Sequence, residues 1–114
     1  MIAEIKVFSS SNIDVSEVSQ KQLSDLYLKK TDKIDGEKVI PINTVEDYEE
    51  FCRKVLNKTP SQIHAYWMKQ VFLGKKTPPE NYLREKVSQI IKNSKDTIGY
   101  SSQPLESKSI YEIK

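Results

Sequence analysis

Glycine, cysteine, histidine and tryptophan are all scarce in this sequence. Its 114 residues include three Gly and one each of Cys, His and Trp. With so few glycines there is no Gly-rich phosphate loop. The single cysteine, Cys52, excludes an internal disulfide and a thiolate zinc site. With one histidine, His64, a zinc site would need carboxylates at spacings that are absent, so neither a metal nor a cofactor is expected. No apolar run approaches the ~20 residues that cross a bilayer, so no transmembrane segment is expected. Charge of one sign is lacking too: 18 basic and 16 acidic residues leave +2. That balance argues against nucleic acid as a partner, because its binders concentrate Lys and Arg on one face. The first strand begins directly after Met1 with no basic and apolar leader. The expectation is therefore either a cytoplasmic protein or one whose leader is removed.

What is present suits one globular domain over residues 1–114, with 37% hydrophobic and 9% aromatic residues. The organising stretch runs from Thr59 to Pro79. Thr59 suits a helix cap, Pro60 the first helical position and Gln62 the reciprocal position of a capping box. Gly74, two lysines and Pro78-Pro79 mark the other end. Ile63, Tyr66, Trp67 and Val71 fall on one stripe, which predicts a helix that plugs the core with Trp67.

Before it, Ile2–Phe8 reads as a strand leading into the polar loop Ser9-Ser10-Ser11-Asn12. Loops at strand ends are where open α/β sheets bind ligands, although such residues also make plain turns. Ser19–Gln22 is a second capping box, opening a helix with Leu23, Leu26 and Tyr27 inward. Asp35-Gly36 marks a turn, and Lys38–Asn43 a strand that Pro41 confines to an edge. Thr44–Asp47 reads as a third capping box before a helix carrying Phe51, Cys52, Val55 and Leu56. Asn57-Lys58 breaks it. Beyond the prolines, Glu80–Ser94 predicts a fourth helix with Leu83, Val87, Ile90 and Ile91 inward. Short strands at Thr97–Ser101, where Gly99 permits close approach, and Ser109–Ile113 complete an α/β fold: a small mixed sheet flanked by about four helices.

Catalytic constellations are thin. His64 has no carboxylate one turn away, and Cys52 sits in an apolar stripe, so a Cys-His hydrolase is the remote reading. Glu46, Asp47, Glu49 and Glu50 read as a solvated helix start. Lys29-Lys30 and Lys75-Lys76 read as charges at helix carboxyl ends. Tyr66-Trp67 reads as core more readily than as a stacking platform.

The ordered set Leu26-Tyr27-Leu28-Lys29-Lys30, Asp35-Gly36, Ile40-Pro41-Ile42, Phe51, Val55–Gln62, Tyr66-Trp67, Phe72-Leu73-Gly74-Lys75, Pro78-Pro79 and Ile98-Gly99-Tyr100 resembles the small single-domain members of the phosphate-type periplasmic substrate-binding family, receptors of ABC transporters. The resemblance spans about Ile2 to Ser102. It implies one lobe of a type II periplasmic binding protein, located in the periplasm or cell envelope, where a complete receptor closes two lobes around its anion. It also places Lys29 where the family's first helix end has glycine. After the second strand, the family's Gly-Ser-Gly-Thr type loop is replaced by Asn43-Thr44-Val45-Glu46-Asp47, whose carboxylates would repel an anion.

The resemblance thus implies a non-enzymatic, binding-protein-like domain with weak affinity for a small oxyanion, phosphate or sulfate. Its ligand-binding residues would be Ser9, Ser10, Ser11, Asn12 and, as a hydroxyl donor, Thr44. The alternative is a protein–protein interaction module that has lost the ligand and binds an envelope protein or a second copy of itself.

Overall fold

Neighbouring residues on the strands feed two different cores, because successive side chains of a strand point to opposite faces. Val7, Ile98 and Tyr100 enter the larger core; Phe8 enters a smaller one with Ile42, Val87 and Ile91. The computed structural model describes residues 5–10, 13, 17–105 and 108–112. Its elements are β1 (Lys6–Ser9), α1 (Gln20–Tyr27), β2 (Lys33–Ile34), β3 (Glu37–Lys38), β4 (Ile40–Pro41), β5 (Asn43–Thr44), a 3-10 turn (Val45–Asp47), α2 (Tyr48–Lys54), α3 (Pro60–Phe72), β6 (Asn81–Tyr82), α4 (Arg84–Asn93), β7 (Thr97–Ser101) and β8 (Lys108–Glu112).

The central sheet has the order β4-β7-β1-β8. β7 and β8 both run antiparallel to β1, and β4 runs parallel to β7, so the sheet is mixed. Helices α1, α2 and α3 supply the larger core on one face, and α4 covers the other. This is the expected α/β architecture, a small mixed sheet between helices. Among the described residues no helix is long and apolar enough to cross a membrane.

The local signals act as physical chemistry dictates. Ser19 accepts from the Gln22 amide at 3.1 Å while Gln22 reaches back to the Ser19 amide at 2.8 Å. Thr59 and Gln62 repeat the exchange at 3.2 and 2.9 Å, with Pro60 at the first helical position. Asp35 (φ 50°) and Gly36 (φ 86°) make the tight turn of the β2–β3 hairpin. Pro41 lies on the edge strand β4, where its missing amide hydrogen breaks no ladder. A Cβ on Gly99 would stand 2.7 Å from Val87 Cγ1, so α4 approaches β7 closely because Gly99 has no side chain. The aromatic centre of the larger core is Tyr27, Phe51 and Tyr100, with Phe51 stacked on Tyr100 at 3.8 Å.

Four expectations are corrected. The Thr44–Asp47 capping box does not form: neither side chain caps a helix amide, and the chain enters α2 through the 3-10 turn. Both side chains have partners elsewhere in the fold, Thr44 at Tyr100 and Asp47 at Arg84 and Ser102. The stretch Lys38–Asn43 is not one strand; it splits among β3, β4 and β5, which pair with different neighbours. The fourth helix starts at Arg84, because Asn81–Tyr82 pairs with β5, and Leu83 becomes its exposed N-cap (62%). On α3, Ile63 and Trp67 are buried, but Val71 is 51% exposed since the helix runs past the edge of the core.

Candidate functional site

The sequence places five candidate ligand residues on two stretches, 9–12 and 44. Ser11 and Asn12 lie outside the described residues. Ser9 ends β1, paired with Ile98, and its buried hydroxyl oxygen has no hydrogen-bond partner among the described residues. Ser10 is equally buried but fully engaged. Its hydroxyl lies 2.9 Å from the Ile91 carbonyl and accepts from the Thr97 amide at 3.2 Å, while its own amide donates to the Thr97 carbonyl. It thereby ties the end of β1 to α4 and to the start of β7.

Thr44 stands elsewhere. It is fully buried, and its hydroxyl donates to the Tyr100 carbonyl at 2.5 Å. Ser9 and Thr44 flank β7 on opposite sides, Ser9 level with Ile98 and Thr44 level with Tyr100. Two residues along a strand and two strand spacings across it amount to roughly 12 Å. Hydrogen-bond donors must lie about 2.7–3.2 Å from an oxygen they serve, so a single phosphate does not reach from one to the other. The structure brings Ser9 and Ser10 together and keeps Thr44 apart.

Around Thr44 the polar groups close on one another. Tyr100 donates to Asn43 Oδ1 at 2.9 Å, and Tyr27 donates to the Ile42 carbonyl at 2.9 Å. Burial raises the pKa of both phenols well above the usual range, so both are neutral donors. Burial also raises that of the Cys52 thiol, which lies fully inside on α2, whereas His64 is exposed on α3. These two do not present a nucleophile and its base to solvent.

A cluster that the sequence pattern did not reveal joins Asp47, Arg84 and Ser102. Arg84 donates to Asp47 Oδ2 at 2.9 Å and through Nε to Ser101 at 3.0 Å. Ser102 adds its amide and hydroxyl to the same carboxylate, at 3.0 and 2.7 Å. The neighbouring Glu46 accepts from the Arg84 amide at 2.8 Å, so it serves the amino end of α4. The acids after β5 therefore fasten α4 and the end of β7 to this loop. The carboxylate-to-Arg pairing spans 37 positions, which no local spacing rule detects.

No family model matches the sequence, and no curated protein matches it. Among solved structures, the chain is similar to the crystal structure of an ABC-type phosphate transport receptor from Vibrio cholerae. The TM-score is 0.58 at 11% identity, over 95% of this chain and 46% of that one. The similarity is one of fold, and the chain spans about half the length of that receptor.

Proposed function

We propose that this chain is a non-enzymatic receptor lobe, related to phosphate ABC transport receptors and working in the periplasm or cell envelope, whose capture of phosphate or sulfate is weak. The observation that carries this reading is the state of the candidate hydroxyls: Ser10 and Thr44 are buried and bonded to backbone carbonyls. Weak capture would fall at residues 9–12, where the Ser9 hydroxyl has no partner among the described residues. A titration with phosphate and sulfate, followed by amide NMR, tests it. The reading predicts shifts confined to that loop and no saturation below millimolar anion. Saturation at micromolar phosphate, with the amides around Thr44 moving in step, would contradict it.

A second reading, that the lobe acts through protein contact, is favoured by the exposed apolar residues that end α3. Met68, Val71, Phe72 and Leu73 all face water, Phe72 at 90% exposure. Apolar surface of this kind marks contact sites, and a second copy of this lobe is a partner that would cover it. Sedimentation of the wild type against Phe72→Asp checks this. A dimer that the substitution dissociates supports it; a wild type that stays monomeric at high concentration removes it.

A further inference from the structure

Five lysines line a cleft of about 550 Å³ between the carboxyl ends of α1 and α3 and the β2–β3 hairpin: Lys29, Lys30, Lys38, Lys75 and Lys76. Asp32 is the one acidic residue on its wall, so the formal charge of the lining is +4. The carboxyl ends of two helices contribute roughly −0.5 each, which leaves most of that charge uncompensated.

The dipole of a helix end explains a lysine beside it, but three observations exceed that explanation. First, both ends are already closed by backbone bonds: Lys29 and Lys30 amides donate to Leu26 and Asp25, and Gly74 and Lys75 amides to Val71 and Gln70. Three of the last four carbonyls of each helix thus have partners without any ammonium. Second, Lys38 belongs to the hairpin and serves no helix end. Third, Lys29 holds the left-handed backbone position of its helix end (φ 55°), where α3 uses Gly74 (φ 68°). A residue with a Cβ is disfavoured there, and such local strain accompanies function. Among the described residues Lys29, Lys30, Lys38 and Lys75 form no ion pair, while Lys76 is steadied by a 3.2 Å bond to the Tyr66 hydroxyl.

We propose that this cleft binds a small molecule carrying two or more phosphate groups. Several lysines lining a space far larger than one phosphate suit a ligand with several anionic groups, and lysine serves phosphate as a point charge. The site goes beyond the function proposed above, and its lining includes none of Ser9, Ser10 and Thr44.

Inorganic tripolyphosphate is the probe, with orthophosphate as comparison, by calorimetry and amide NMR at low salt. The expected result is one saturable site with shifts at 29–32, 38–41 and 75–77, weakening as salt is added. Orthophosphate should bind at least about tenfold more weakly. Lys29→Gly is the informative variant, because it relieves the backbone strain. Thermal stability should hold or rise while tripolyphosphate affinity falls about fivefold, a combination a purely structural Lys29 would not give. The double variant Lys38→Gln with Lys76→Gln should lose about tenfold, and Lys58→Gln, outside the cleft, should change little. Three results would overturn the proposal: no saturation at millimolar tripolyphosphate, equal losses in Lys58→Gln and the cleft variants, or shifts centred on Ser9 and Ser10. Only the last of these touches the reading of the 9–12 loop.

Discussion

Tyr100 shows how one side chain links the core to the candidate site. Its ring stacks on Phe51, its hydroxyl reaches Asn43 and its carbonyl receives Thr44. Tyr100→Phe keeps the stack and leaves the buried Asn43 oxygen without that donor, which should cost about 1–2 kcal/mol in urea denaturation. An unchanged midpoint would show that Asn43 finds another partner. Cys52 makes a complementary prediction. Fully buried, with its thiol pKa pushed up by burial, it should resist iodoacetamide in the native protein and react once urea unfolds the chain. Rapid native labelling would mean that α2 opens locally.

Elements were legible where a signal is local. Ser19–Gln22 and Thr59–Gln62 each carry a whole capping box within four residues, so both helix starts could be read directly. Thr44–Asp47 carries the same pattern, yet its side chains are claimed by Tyr100, Arg84 and Ser102, all more than thirty positions away. Tertiary partners overrode a local propensity. The same reason hid the split of 38–43, whose parts pair with β2, β7 and β6, and the late start of α4, which follows from the pairing of β6 with β5. Gly99 was legible as a close approach, and its role is testable. Gly99→Ala puts a methyl within 2.7 Å of Val87 and 3.1 Å of Ile91, so overpacking should destabilise by about 1–3 kcal/mol. Adding Val87→Ala should recover part of that loss. If it recovers none, α4 is not the obstruction.

Across the whole molecule, the α/β class was readable from interleaved apolar periods, but the sheet order was not. Nothing in the sequence indicates that β1 lies between β7 and β8 and antiparallel to both. That arrangement sets residue 9 and residue 44 on opposite flanks of β7, so a site assembled from neighbouring loops on paper is divided in the fold. Two buried phenols also give the molecule an alkaline limit. Tyr27 and Tyr100 ionise at higher pH in the native state than in the unfolded chain. Their contribution is complete below about pH 10 and is lost as pH climbs through the native values. Urea midpoints should therefore be steady from neutral pH to about 9 and then fall, with Tyr100→Phe falling less steeply. A midpoint that is flat through pH 11 would contradict the burial of these hydroxyls.

The central claim is that the Thr44 hydroxyl belongs to the fold and not to a ligand. Direct observation of its hydroxyl proton by NMR tests this. The proton should exchange slowly with water, show contacts to the backbone around Tyr100, and stay in place as millimolar phosphate is added. A hydroxyl proton averaged with water, or one that moves with phosphate, would contradict it.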